Sequence, residues 1–113
     1  MVKIIQASGA RKESVARATI KDGKGKIQIN GKLLANFSDE MSRLRISEPL
    51  VLSGDLIKKV NISVRVNGGG INGQSDAVRL SIARALVKYD KKLKKVFDDY
   101  DRLLLVADVR RKE

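Results

Sequence analysis

The sequence of 113 residues predicts a two-layer α/β (α+β) fold in a single domain. Segments with strand-like alternation come first, followed by a short helix, another strand and two amphipathic helices. Helices packed on a sheet are the usual outcome of such an order, because each element has an apolar face to bury. The length suffices for one modest core and not for two. The chain also has no internal repeat, linker or low-complexity segment.

The first third of the chain predicts a small antiparallel meander of three strands, over residues 2–7, 14–21 and 26–30. Ser8 and Gly9 are expected to end the first strand, and Asp22-Gly23-Lys24-Gly25 is expected to form the turn before the third. Asn30-Gly31 is a further tight turn, of the kind that joins the strands of a hairpin.

A short helix is predicted after this meander. Ser38 is expected to cap it, and Met41 and Leu44 are expected to share its inner side. Pro49 is expected to end it, because the residue before a proline resists the helical conformation.

The second half predicts a strand, two helices and a last extended run. Residues 61–67 alternate, with Ile62, Val64 and Val66 on one face and Ser63 and Arg65 on the other. Residues 74–89 form a helix whose apolar stripe comprises Val78, Ile82, Ala85, Leu86 and Tyr89. Asp90 is expected to cap the next helix, whose apolar residues are Leu93, Val96, Phe97 and Tyr100. Residues 103–106 read as a strand or a buried extended run.

The charge predicts a polyanionic partner. The chain has 24 Lys and Arg against 13 Asp and Glu, which gives a formal net charge of +11. An imbalance of this size raises the affinity and association rate for nucleic acid without providing sequence specificity. The sequence contains neither cysteine nor histidine, which excludes thiolate chemistry and removes the commonest metal ligand and general base. We expect a cytoplasmic, non-catalytic protein without a cofactor or a membrane span.

The glycine-rich stretch of residues 68–75, GGGINGQS, lies between the alternating strand and the long helix. Backbone N–H groups at such a junction can hold a phosphate. Its spacing matches a dinucleotide-binding loop, and also a P-loop in which Gln74 replaces the lysine. Neither pattern has its required acidic partner on a following strand. Three interpretations remain open: a small nucleotide-binding enzyme, a tight turn that only packs against the helix, and a clamp for an RNA backbone, which the charge favours.

Several cations could contact phosphates. Arg79, Arg84 and Lys88 lie on the long helix, and Arg84 and Lys88 are one turn apart and share a face. Further candidates are Arg11, Lys12 and Arg17 near the first turn, Lys24 and Lys26 in the hairpin, and the C-terminal Arg110, Arg111 and Lys112.

The acidic cluster of Asp98, Asp99 and Asp101 lacks the spacing of a calcium loop, so we interpret it as a solvated helix end and predict no metal site. The aromatic residues Phe97 and Tyr100 fall on a core stripe, which argues against base stacking and favours contact with the phosphates and shape of folded RNA.

Taken as a whole, the chain resembles the universal small-subunit ribosomal protein S9 family, called S16 in eukaryotes. The resemblance is strongest in VRVNGGGINGQ (residues 64–74) and AVRLSIARALV (residues 77–87). SGARKESVAR (residues 8–17) resembles the basic N-terminal motif of the family, and INGK (residues 29–32) resembles its hairpin. RISEPL (residues 45–50), YDR (residues 100–102) and DVRR (residues 108–111) are most similar to archaeal members.

The resemblance implies the fold of the second domain of ribosomal protein S5, with a mixed or antiparallel four-stranded sheet, helices on one face and a left-handed crossover. It implies binding to ribosomal RNA in the head of the small subunit, beside neighbouring ribosomal proteins. The RNA-facing residues it implies are Arg11, Lys12, Arg17, the loop with Gly68, Gly69, Gly70, Gly73 and Gln74, and Arg79 and Arg84. Family members continue past Arg111 into a basic tail that reaches transfer RNA in the peptidyl site. The given sequence ends at Glu113, so either the tail continues beyond it or the protein lacks that contact. We expect residues 1–113 to form one domain, and we assign the contact with transfer RNA to none of them.

Overall fold

The computed structural model describes residues 4–11, 13–34, 40–68 and 71–100, and the side chains of residues 55, 71, 72 and 98–100 are not described. Five strands form one sheet: β1 (Ile4–Arg11), β2 (Ser14–Asp22), β3 (Ile27–Ile29), β4 (Lys32–Leu33) and β5 (Val60–Asn67). The helices are α1 (Glu40–Leu52), a 3₁₀ helix (Gly54–Lys59), α2 (Ile71–Tyr89) and α3 (Leu93–Tyr100). The predicted two-layer α/β fold is confirmed. The extended run expected over residues 103–106 lies outside the described residues.

The strand order is β1-β2-β5-β3-β4, so the predicted meander of the first three strands is wrong. β5 lies between β2 and β3, antiparallel to β2 and parallel to β3. The expected turn at residues 22–25 instead approaches the start of β5, where the Gly23 and Gly25 N–H groups donate to the carbonyls of Lys59 and Val60, both at 2.9 Å. A local pattern identifies a strand but not its neighbours, and here the distant apolar strand takes the central position.

The sheet has five strands where four were expected. The additional strand is β4, which pairs with β3 across the predicted Asn30-Gly31 turn. Both turn residues have positive φ, +53° and +83°, as a tight two-residue hairpin requires.

One face of the sheet is covered by helices and the other is exposed. Buried and accessible residues alternate along β2 and β5, as the sequence predicted for β5. β1 runs through Ser8 and Gly9 to Arg11, so the expectation that these residues end it is wrong. Gly9 is buried beneath α2, where an added Cβ would lie 2.8 Å from the Ser81 backbone nitrogen. This glycine allows close packing of strand and helix rather than a turn.

Helix α1 is rotated relative to the prediction. Met41 and Leu44 are 69% and 60% exposed, and the buried residues are Ser42, Ile46, Pro49 and Leu50. Pro49 lies inside the helix instead of ending it. Its ring is buried, and burial of this face offsets the loss of one backbone hydrogen bond. The predicted cap, Ser38, lies outside the described residues.

Helix α2 carries the core of the molecule. The expected residues Val78, Ile82, Ala85 and Leu86 are fully buried, and Tyr89 packs against them. The helix begins at Ile71 and not at Gln74, so Gly73 and Gln74 belong to its first turn. In α3 Leu93 and Phe97 are buried as predicted, whereas Val96 is 41% exposed. The Asp90 carboxylate accepts a hydrogen bond from the Lys92 N–H at 3.1 Å, in agreement with its predicted capping role. No helix in the described part of the chain is long and apolar enough to span a bilayer.

Candidate nucleic-acid interface

The two motifs that the sequence singles out, the basic turn and the glycine loop, meet at one end of the sheet. The Gly68 carbonyl accepts hydrogen bonds from the Ser14 hydroxyl at 2.8 Å and from the Gln74 side-chain amide at 3.1 Å. Gly68 has a φ of +82°, and a Cβ added there would collide with the Glu13 carbonyl. A Cβ on Gly73 would lie 3.0 Å from the Ser14 hydroxyl. We call this contact of residues 11, 13 and 14 with residues 68, 73 and 74 the turn–loop end.

The contacts at the turn–loop end explain the two described glycines of the loop. They let the β1–β2 turn pack directly on the start of α2, which is the packing interpretation that the sequence left open. Gln74 closes the loop through the Gly68 carbonyl, and Ser75, which the P-loop pattern assigns to a metal ion, is 2% exposed. The residues of the nucleotide-site pattern are therefore used by the fold. Gly69 and Gly70 lie outside the described residues.

The predicted cation Arg11 forms an ion pair at this end, and it shares its carboxylate with Arg45, which the sequence did not assign to the site. The Arg11 Nε lies 3.5 Å from Asp76 Oδ2, and Arg45 NH1 lies 2.6 Å from Asp76 Oδ1. Asp76 stands in the second turn of α2, and its carboxylate holds two guanidinium groups from different elements. Arg11 remains 31% exposed, so the pair orients this side chain at the surface. Lys12, beside it in sequence, lies outside the described residues.

Arg79 connects two helices. Its Nε and NH2 atoms lie 2.8 Å and 2.7 Å from Glu48 Oε1 on α1. The Arg79 side chain is 17% exposed and the Glu48 side chain 36% exposed. The geometry gives Arg79 a structural role between α1 and α2, and its contact with RNA stays a prediction.

Arg84 and Lys88 lie on one face of α2, as the sequence predicted, and both reach the free edge of β1. Arg84 NH1 donates to the Ser8 carbonyl at 3.0 Å, and Lys88 Nζ donates to the Gln6 carbonyl at 2.9 Å. These bonds satisfy acceptors of an edge strand that would otherwise be open to pairing with another chain. They also hold both cations at the surface of the molecule.

Two adjoining hollows surround these cations. One of about 360 Å³ is lined by Ala7, Ser8, Arg84, Val87 and Lys88. The other, of about 190 Å³, is lined by Gln6, Ala7, Ser8, Arg17 and Lys88. No carboxylate belongs to either lining among the described residues. We call the two hollows together the β1-edge cleft, which brings Arg17, Arg84 and Lys88 around an open space large enough for a phosphate group.

The hairpin lysines lie on another part of the surface. Asn61 Oδ1 accepts hydrogen bonds from the backbone N–H groups of Lys24 and Lys26, both at 3.0 Å, and this leaves both side chains exposed. Lys26 lines a hollow on the uncovered face of the sheet together with Lys21. Arg110, Arg111 and Lys112 lie outside the described residues.

Arg65 is a cation that the sequence placed on the polar face of its strand but did not assign to a site. It lies directly opposite Arg17 on β2. The alternation of β5 indicated that Arg65 is exposed, but it could not show that β2, and with it Arg17, is the neighbouring strand.

Tyr89 is the one described group with a resolved pKa shift. Burial, together with a hydrogen bond to the Asp22 carboxylate at 3.1 Å and the charge of that group, raises the pKa of the Tyr89 phenol above its ordinary value of 10.0. The described residues contain no group of three or more His, Cys, Asp or Glu that could hold a metal ion. Asp101 and the side chains of Asp98 and Asp99 lie outside the description. What the arrangement offers chemically is a set of hydrogen-bond donors and positive charges suited to phosphate oxygens.

Comparison with known proteins gives a consistent result over nearly the whole chain. The family model described as "Ribosomal protein S9/S16" matches residues 9–113. The chain is similar to "Small ribosomal subunit protein uS9" of Methanothrix thermoacetophila, with 40% identity over 114 residues that cover 99% of this chain and 86% of the relative. It is also similar to the protein of the same name from Pyrobaculum aerophilum, with 45% identity over 113 residues that cover 98% of this chain and 80% of the relative.

Proposed function

The chain belongs to the ribosomal protein S9/S16 family, and from this premise we propose that it is a structural protein of the small ribosomal subunit that binds ribosomal RNA and supports translation. The observation that carries the proposal is the family match over residues 9–113. The surface described above supplies the physical basis, because a net charge of +11 raises the affinity and the association rate for a polyanionic partner.

The binding surface that we propose consists of the turn–loop end and the β1-edge cleft. At the turn–loop end, the basic turn presents Arg11, whose side chain is 31% exposed. In the cleft, Arg84 and Lys88 are held in place by the β1 carbonyls. Cations that are already oriented lose less conformational freedom on binding than free side chains do. RNA is thus bound through neutralisation of phosphates and fit to its folded shape.

The family also suggests a structural rather than a catalytic role. The alternative of a small nucleotide-binding enzyme used the glycine spacing of residues 68–75, and the contacts of Gly68, Gly73 and Gln74 give that spacing a packing function. We further propose that the site lies in the head of the subunit, beside neighbouring ribosomal proteins in the cytoplasm. We do not assign a contact with transfer RNA to any residue of this chain.

Filter binding tests the proposal. The purified protein is titrated into small-subunit ribosomal RNA and into an unrelated folded RNA of equal length, at about 0.15 M salt, where nonspecific charge attraction is partly screened. We expect an affinity for the ribosomal RNA at least about tenfold higher, because each 1.4 kcal/mol of specific contact gives a factor of ten. Equal affinity for the two RNAs would refute the assignment. Binding of ATP or NAD in the micromolar range by calorimetry would favour the enzyme.

A further inference from the structure

One carboxylate on α2 holds two arginines that come from different parts of the fold. Asp76 stands in the second turn of α2 (Ile71–Tyr89). Its Oδ2 atom lies 3.5 Å from Nε of Arg11, the last residue of β1, and its Oδ1 atom lies 2.6 Å from NH1 of Arg45 on α1. We call these three side chains the Asp76 cluster. It connects the β1–β2 turn with both α1 and α2.

The two guanidinium groups of the cluster are fixed on one side and accessible on the other. Arg11 Nε is buried, although the Arg11 side chain as a whole is 31% exposed. The Arg45 side chain is 53% exposed, whereas the Asp76 side chain is only 19% exposed. A guanidinium has further N–H donors besides the one that faces a single carboxylate oxygen. The cluster therefore presents positive charge to solvent and keeps most of its carboxylate covered.

The Asp76 cluster has one positive charge in excess. Two guanidinium groups share its single carboxylate, whereas the other ion pair between the same helices, Arg79 with Glu48, joins one cation to one anion. Asp76 and Arg79 are one turn apart on α2, and Arg45 and Glu48 are one turn apart on α1. The contact between the two helices is thus neutral at Arg79 and positive at Asp76, the end nearer the start of α2.

The negative charge of Asp76 needs a compensating effect at a surface that binds phosphates. A carboxylate repels phosphate and lowers the net charge, so charge alone would favour an uncharged residue at this position. What the carboxylate supplies is orientation. A side chain that an ion pair already orders loses less conformational freedom when it binds a ligand.

We propose that Asp76 is a positioning residue for RNA binding, which holds Arg11 and Arg45 so that both guanidinium groups donate to one phosphate of the RNA backbone. The inference rests on the proposed function, since it takes RNA as the ligand. It adds Arg45 to the surface at the turn–loop end, while Asp76 itself touches no RNA. Guanidinium groups in a fixed geometry match phosphate oxygens through charge-assisted hydrogen bonds. Loss of the Asp76 carboxylate therefore weakens specific binding, the opposite of what net charge predicts.

Two acid-to-amide variants of equal net charge separate orientation from charge. Asp76→Asn and Glu40→Gln each remove one negative charge, and Glu40 is an exposed residue at the start of α1. Filter binding to small-subunit ribosomal RNA and to an unrelated folded RNA of equal length, at about 0.15 M salt, gives the ratio of the two affinities. We expect this ratio to fall about three- to tenfold in Asp76→Asn and to keep its wild-type value in Glu40→Gln. Asp76→Glu, which keeps the carboxylate, should recover part of the loss.

The ratio of affinities distinguishes positioning from a purely structural role, because partial unfolding lowers both affinities by the same factor. A wild-type ratio in Asp76→Asn would overturn the inference and leave the proposed function intact. Equal falls in Asp76→Asn and Glu40→Gln would also overturn it, because net charge would then be the cause. If the wild-type protein shows no preference for ribosomal RNA, the proposed function is refuted, and the inference with it.

A second pair of variants covers the case in which Asp76→Asn does not fold. Arg45→Gln and Lys91→Gln each remove one exposed cation. For each lost phosphate contact, the slope of log K against log salt becomes shallower by about 0.7–0.9. We expect that change for Arg45→Gln and little change for Lys91→Gln. Equal slopes in the two variants would contradict a phosphate site at Arg45 and overturn the proposal.

Discussion

Gly68 decides how the glycine-rich stretch of residues 68–75 is interpreted. Its φ is +82°, and the Glu13 carbonyl oxygen lies where a Cβ would have to be placed, so there is no space for a side chain. The Ser14 hydroxyl that binds its carbonyl is 54 residues away in sequence. The spacing of the glycines could not show that Gly68 packs against Glu13 and Ser14. It therefore suggested two kinds of nucleotide site, although packing accounts for Gly68. The same spacing correctly indicated a backbone under tight constraint.

Replacement of Gly68 by alanine tests this packing function, with Gly31→Ala as a matched control. Both glycines have a φ near +80°, but an added Cβ at Gly31 meets nothing within 4 Å. We expect Gly31→Ala to lower the free energy of unfolding by about 1–2 kcal/mol, the cost of a left-handed backbone for alanine. Gly68→Ala should lose a further 1–3 kcal/mol or so through the clash with Glu13. Urea denaturation measures both, and equal losses would contradict the contact.

The Tyr89 phenol provides a test of the contact between α2 and the end of β2. The chain has two tyrosines, so Tyr100→Phe leaves Tyr89 as the only phenol that absorbs on ionisation. Because burial and Asp22 raise its pKa, we expect a midpoint above 10.0 in the folded protein, and a lower one in Asp22→Asn. A raised folded pKa means that this contribution to stability is complete below pH 10 or so and is lost as the pH rises through the folded pKa. A midpoint no higher than in the urea-unfolded chain would contradict the contact.

At the level of elements, the prediction was correct for segments with a single apolar face. It was wrong where the buried face or the neighbouring strand is determined by residues far away in the sequence. The limits of β2, β5 and the stripe of α2 follow from local alternation and helical periodicity. Helix α1 carries apolar residues on opposite sides, with Met41 and Leu44 on one and Ile46 and Leu50 on the other. Its pattern therefore does not define the inner face. The position of β5 between β2 and β3 is likewise a non-local choice that no window of sequence contains.

The rotation of α1 predicts that two substitutions in this helix change the free energy of unfolding by very different amounts. Ile46→Ala should lower the free energy of unfolding by about 2–5 kcal/mol, because Ile46 is fully buried and its removal leaves a cavity. Leu44→Gln should change stability by no more than about 0.5 kcal/mol, because Leu44 is 60% exposed. Chemical denaturation of both variants gives the comparison. A large loss of stability in Leu44→Gln with a small loss in Ile46→Ala would instead support the inner face that the sequence predicted, with Met41 and Leu44 buried.

The ion pair between α1 and α2 can be separated from any role of Arg79 in RNA binding. A double-mutant cycle of Glu48→Gln and Arg79→Gln should give a coupling energy of about 0.5–1 kcal/mol, modest because Glu48 is about a third exposed. Filter binding of the same variants then reports on RNA. Unchanged affinity in Arg79→Gln would limit this residue to the fold, whereas a loss that Glu48→Gln does not share would place Arg79 on the RNA.

For the whole molecule, the positive charge could be read from composition, but its distribution could not. Arg17 and Arg65 are 48 positions apart in the chain and become neighbours only because β5 pairs with β2. Arg84 and Lys88 were expected to share a helix face, but the carbonyls of β1 that orient them were not foreseen. The candidate site was thus predicted as a set of residue types, and the sheet topology determined which of them lie together.

The same topology makes the free protein sensitive to salt. Its net charge of +11 produces self-repulsion, so we expect the thermal midpoint to rise as salt increases from about 0.02 to about 0.5 M and the charges are screened. Arg17→Gln/Arg65→Gln and Lys91→Gln/Lys95→Gln lower the net charge equally, but only the former removes a direct cross-strand repulsion. At low salt the arginine variant should therefore have the higher midpoint, and at high salt the difference should shrink. Calorimetric scans at several salt concentrations measure this. If the two variants behave alike at every concentration, Arg17 and Arg65 do not repel one another in the folded sheet.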